Sequence, residues 1–182
     1  EETKDFFQRL EESHPELAEK IGPPPSPEGF KTTESKPTKK PKIAWDRTSC
    51  EKHASEGGSF EGEDLRGLDL SDLGWEGISF QGTLLNGANL TGARFTEANL
   101  SGANLSGATI SGGDFTGTNL TQADLTRTDL SHTNFSFAIL TDADFSGATL
   151  SEANLSEAKG ARATFFGANV EGANLTRADF RN

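Results

Sequence analysis

Cys50 and His53 form a C-x-x-H pair, which is half of a zinc ligand set. A structural zinc takes four nitrogen or sulfur ligands. The chain has one cysteine and, besides His53, only His14 and His132. Neither stands near the pair in sequence, so the pattern is half a site at best and no metal is expected there. A single cysteine also excludes an internal disulfide framework. Serine and threonine are abundant, but none is set up with a partnered histidine as nucleophilic catalysis needs. No glycine-rich loop sits between a strand and a helix to cradle phosphate. The expectation is therefore no catalytic residue, no cofactor and no enzyme.

The N-x-S/T sequons give another chemical signal. They start at Asn89, Asn99, Asn104, Asn119, Asn134, Asn154 and Asn174. Each follows from a repeat that places Asn before a large apolar residue and Ser or Thr after it. They read as by-products of that repeat, which argues against a secretory-pathway glycoprotein.

The repeat sets the frame for every side chain. In the stretch TGTNLTQADLTRTDLSHTNF every fifth residue is large and apolar: Leu120, Leu125, Leu130 and Phe135. A helix repeats near 3.6 and a strand near 2, so neither accounts for a beat of five. The beat holds from residue 58 to the end, over 25 pentapeptides without an insertion, and only Gly160 lacks a large apolar side chain. Two residues before each centre stands a small residue, as at Ala88, Ala98, Ala103 and Ala173. Repetition at fixed period outranks local propensity as evidence.

ANLTG, ANLSG, ADLTR and ADFSG resemble the pentapeptide-repeat family, whose pattern is A(D/N)LXX. The resemblance covers residues 58–182. It implies an all-β fold, a right-handed quadrilateral parallel β-helix (a solenoid), in which four pentapeptides make the four sides of one coil. The large centre and the small residue two before it then point inward. Spacing is consistent with a 20-residue coil. Trp75, Phe95, Phe115 and Phe135 fall in one column, Phe60 and Phe80 in another, and Phe145 and Phe165 in a third. Leu70, Leu90, Ile110, Leu130, Leu150 and Val170 make an aliphatic column. Like shapes nest at close packing. About six coils follow, roughly 30 Å at ~4.8 Å each.

Residues 1–57 differ in composition and hold all seven prolines. DFFQRLEE reads as a short helix with Phe6, Phe7 and Leu10 on one face, and Ser13 with Glu16 as a capping box. GPPPSPEG (22–29) reads as a stiff linker. KPTKKPK (36–42) reads as a solvated basic run, with a dock for an acidic partner as the sharper alternative. Residues 43–57, with Ile43 and Trp45, are expected to cover the first coil, because a solenoid end exposes apolar surface and open edges. That coil is irregular: Leu68, Leu73 and Ile78 replace Ala, and Glu63 stands where a small residue belongs.

The charge bounds the function. A net charge of -11 argues against direct nucleic-acid binding, and no apolar run is long enough to span a membrane. Sorted by side, Asp69, Asp72, Asp129, Glu152 and Glu171 share the side centred on Leu70 through Val170, with no Lys or Arg of the array among them. Phe137, Ile139 and Phe166 take outward positions where polar residues are expected. These residues, with Phe6, Phe7 and Leu10, are the candidate interaction surface.

The leading expectation is a non-enzymatic scaffold or assembly subunit that binds protein partners. The resemblance adds two possibilities. One is contact through the C-terminal end, in a homodimer or with another subunit. The other is mimicry of DNA, by which some family members bind and protect gyrase. Mimicry ranks second: a 30 Å stretch of DNA carries roughly 17 charges, whereas the array has 16 acids and 7 bases. The chain opens at Glu1 without methionine, which suits a removed leader or absent preceding residues. The family resemblance points to a bacterial cytoplasm or a chloroplast, stroma or thylakoid lumen.

Overall fold

The computed structural model describes residues 44–181. Phe6, Phe7, Leu10, His14, the Ser13–Glu16 box, the proline-rich linker and the basic run lie outside them. Ile43–Asn182 forms one compact unit.

Within the array the backbone pairs through isolated parallel bridges, from Asp64↔Leu84 to Lys159↔Asp179, and every pair is twenty residues apart. Each bridge falls on the residue just before a centre. The rung is made by two bonds: Phe95 N–H donates to the Asp114 carbonyl at 2.7 Å and Asp114 N–H to the Ala93 carbonyl at 2.9 Å. A turn of twenty residues is four pentapeptides. Corners are closed by i to i+3 bonds, as from Ala88 N–H to the Leu85 carbonyl at 3.0 Å. The third residue of each corner has positive φ, the geometry of a type II turn. Glycine fills many of these corners, but eleven non-glycine residues also take this conformation, Phe137 (φ 61) among them.

The core is a column of centres, fully buried from Phe60 through Leu155, with the small residues beside them. Rings twenty apart lie over one another: Phe60 over Phe80 at 4.8 Å, Phe95 over Phe115 at 4.8 Å and Phe145 over Phe165 at 4.9 Å between centroids. Where Thr replaces Ala beside a centre, its hydroxyl is satisfied internally. Thr83 donates to the Phe60 carbonyl and Thr118 to the Phe95 carbonyl, at 2.5 and 2.7 Å. Low hydrophobic content is thus compatible with a dry core, because one large residue in five suffices.

Among the described residues one helix, α1 (Arg47–Ser55), lies against the first coil. Asp46 caps it: its carboxylate accepts from Ser49 N–H at 2.7 Å, and Ser49 Oγ accepts from Asp46 N–H at 2.9 Å. Cys50 on its inner face is fully buried. Trp45 and His53 pack on the Phe60 ring at 5.2 and 5.1 Å. Glu63, out of pattern in the sequence, accepts the Trp45 indole N–H at 2.9 Å. Leu68, Leu73 and Ile78 are half-buried against the core.

Candidate functional site

The outward residues of each pentapeptide are first of all employed by the coil. The residue before the centre turns its side-chain oxygen onto the N–H two residues on, as Asp69 does to Ser71 and Asp129 to Ser131. This is an Asx turn, and Asn or Asp makes it equally well. Charge at such a position is therefore free to vary without cost to the backbone.

Five of the seven array bases are matched to an acid on the surface. Arg66 pairs with Asp64 at 2.7 Å, Arg94 with Glu76 at 2.8 Å, Arg162 with Asp142 at 2.6 Å, Arg177 with Glu157 at 3.1 Å and Arg181 with Asp179 at 2.7 Å. None of these five acids belongs to the candidate side. There Asp69, Asp72, Asp129, Glu152 and Glu171 are all exposed. Glu152 lies 3.3 Å from His132 Nδ1, on the same side. Hydrogen bonds from Ser71, aided by Arg47 and Asn89, hold the Asp69 carboxyl below the usual carboxylate range.

The bridge register divides these acids. Between Asp69 and Asp129 stand Asn89 and Thr109, both neutral. Asp69 and Asp72 thus lie at the first coil, and Asp129, Glu152 and Glu171 toward the C-terminal end. A base from outside the array also reaches this side. Arg47 of α1 lies 3.9 Å from the Asp69 carboxylate and donates to the carbonyls of Asp69 and Ser71 at 3.4 and 2.9 Å. Sorting array residues alone misses Arg47. The signal that could have found its element was the D-R-T-S run from Asp46 to Ser49, a cap at the head of a helix.

Phe137, Ile139 and Phe166 are exposed by 62, 41 and 83 %. Phe137 is the third residue of one corner, and Ile139 follows just past it. Phe166 lies beyond them: Ile139 bridges to Lys159, and Phe166 follows seven residues later, past the next corner. The three do not form one patch. In the last coil Val170 and Leu175 are also exposed, by 43 and 49 %.

Cys50 and His53 do not converge on a metal site. The thiol is buried, which pushes its pKa up to about 11, and His53 Nε2 lies 2.9 Å from the Ser59 carbonyl. Among the described residues no group of three or more His, Cys, Asp and Glu could hold a metal. No helix among them is long and apolar enough to cross a membrane.

Comparison with known proteins gives a family match and several folds. The family model described as pentapeptide repeats matches eight copies, over residues 76–112, 114–147 and 143–182. None of the curated proteins matches. Among solved structures, a pentapeptide repeat protein from the cyanobacterium Cyanothece is 22 % identical, with 64 % of this chain and 90 % of that chain covered and a TM-score of 0.36. One from the thylakoid lumen of Arabidopsis thaliana is 26 % identical, with 68 % and 72 % covered and a TM-score of 0.31. The plasmid-mediated fluoroquinolone resistance protein QnrB1 is 18 % identical, with 76 % and 89 % covered and a TM-score of 0.36.

Proposed function

The chain belongs to the pentapeptide-repeat family, and from that premise we propose that it is a non-enzymatic scaffold or assembly subunit that binds a protein partner through the side bearing Asp69, Asp72, Asp129, Glu152 and Glu171. Proteins of this family form right-handed quadrilateral β-helices and are generally structural or interaction proteins. About six coils over residues 58–182, with an extension at 1–57, fit the present sequence.

The observation that carries the reading is where charge is left uncompensated. Elsewhere on the array five of the six arginines are matched to acids. Among the described residues the ionic partners on this side are Arg47 and, when protonated, His132. A rigid array presents such carboxylates with little entropy left to lose on binding. Complementary charge then steers a basic partner and sets its register. The family resemblance adds a second contact, through the C-terminal end, with another copy or another subunit. A bacterial cytoplasm or a chloroplast suits the family.

Affinity capture with the tagged chain at rising salt tests the reading. A partner held by these carboxylates is released as the Debye length shortens from ~10 Å at 0.1 M to ~3 Å at 1 M. A partner retained unchanged at 1 M salt contradicts it. Capture with a chain lacking residues 1–42 separates binding by the array from binding by the preceding segment.

The one-sided charge also favours a second reading, a DNA mimic that protects gyrase. The array's 16 acids against 7 bases fall short of the roughly 17 charges of equivalent DNA, so this ranks second. A supercoiling assay with a quinolone decides it: absence of protection at micromolar protein removes the reading.

A further inference from the structure

The first coil is covered unevenly. On one side His53 reaches the Ser59 carbonyl, at 2.9 Å, and on another Arg47 takes the carbonyls of Asp69 and Ser71. The side carrying Gly74, Trp75 and Glu76 receives nothing comparable from the described residues. Gly74 gives its bridge to Arg94 on the far edge, where Leu73 and Trp75 supply the bonded groups. Its own N–H and carbonyl have no partner among the described residues. They belong to the edge that faces α1. Residue 54, which would pair there if the array ran one coil further, is in the helix.

A groove of about 480 Å³ lies along this edge, within the ~300–1,000 Å³ of ordinary ligand sites. Leu73, Trp75 and Ile78 line it from the coil, and Glu51, Ala54 and Ser55 from the helix. Gly74 is the only glycine in the array at the position before a centre. A Cβ there would lie 2.7 Å from Arg94 Nη2 and Glu76 Oε2, so the Arg94–Glu76 pair takes the outward space that a side chain on Gly74 would need. Trp75 is 1 % exposed, and its indole N–H has no acceptor among the described residues.

We propose that this groove takes an extended, basic peptide segment of a partner protein, added as a strand on the Gly74 edge. Main-chain bonds to Gly74 supply affinity, and alternate side chains supply selectivity, as in strand addition to other open edges. Leu73 and Ile78, larger than the alanines found at their position in later coils, give an apolar floor. The lining includes two carboxylates, Glu51 and Glu76, and no base. They touch Arg47 and Arg94 at 3.1 and 2.8 Å, yet all four side chains stay roughly half exposed, so a peptide cation can share them. The site is separate from the acidic side and stands or falls independently of it.

Labelled five-residue peptides, acetylated and amidated, test this by fluorescence anisotropy with the full chain. One alternates valine with lysine and the other valine with glutamate. Saturable binding of the lysine peptide is expected, and none of the glutamate peptide. Ser55→Trp, on the exposed helix surface, fills the groove and should weaken binding at least tenfold. Glu51→Gln with Glu76→Gln should do the same, each with an unchanged thermal midpoint. If the double variant unfolds, Ser55→Trp decides. No saturable binding, equal binding of both peptides, or an unchanged Kd in the Ser55 variant overturns the proposal.

Discussion

The ring of Phe180 lies in the space that a side chain on Gly160, twenty residues earlier, would need. Gly160 is the one position in the beat without a large centre. The next coil fills the gap from above, so the interruption is matched one turn later. Overpacking at such a site costs about 1–3 kcal/mol. Gly160→Leu should therefore lower the midpoint of thermal unfolding. Phe180→Ala added to it should restore part of the loss, because neighbouring substitutions couple. Simple additivity of the two would show that the ring does not occupy that space.

The cap should open when its arginine is removed. Arg47 donates to two backbone carbonyls of the first coil and pairs with Glu51. Hydrogen bonds from charged groups contribute about 1.5–3 kcal/mol. The Cys50 thiol reports the event, since it is fully buried and its pKa is raised to about 11. At pH 8 the native chain should react slowly with a thiol reagent. Arg47→Ala should speed that reaction at least tenfold while the array stays folded by circular dichroism.

Acid should weaken the structure through a small set of aspartates. Hydrogen bonds from Arg181 lower the Asp179 carboxyl, those from Arg162 lower Asp142, and those from Ser49 lower Asp46. Depressed carboxyl values mean that the unfolded chain binds protons first as pH falls. Their stabilisation is full above about pH 4 and is lost as pH drops through the folded values. The thermal midpoint should fall below pH 4, and Asp142→Asn with Asp179→Asn should flatten that fall.

Phe137 holds positive φ, a costly conformation for a bulky residue, with its ring 62 % exposed. Glycine adopts this conformation freely. Phe137→Gly should raise stability by up to about 1 kcal/mol, as read from denaturant midpoints at constant m. If Phe137 contacts a partner, the same variant binds less of it. A loss of stability would show that the ring packs usefully on the array.

The core was legible because the coil repeats its demands. Phe95 and Phe115 meet the same neighbours one turn apart, so one spacing predicts both. The first coil was less legible because its neighbour on one face is not another coil. Glu63 looks misplaced until Trp45 supplies a donor, and Arg47 carries no periodic signal at all. The candidate side was legible as composition but not as a continuous surface. Asp69 and Asp129 sit where Asn serves the turn as well as Asp, and Asp72, Glu152 and Glu171 stand on corners, so the repeat neither requires nor forbids their charge. The bridge register shows Asn89 and Thr109 lying between Asp69 and Asp129.

That same interchangeability gives the most direct test of the scaffold. Asp69→Asn, Asp72→Asn, Asp129→Asn, Glu152→Gln and Glu171→Gln together remove five negative charges and keep one side-chain acceptor oxygen at each position. Circular dichroism and the thermal midpoint should stay close to those of the parent chain. The measurement is the amount of partner captured by each chain at 0.1 M salt, quantified by mass spectrometry with isotope labels. The account predicts at least a tenfold loss of the salt-sensitive partner from the substituted chain. Equal capture by both chains would contradict it.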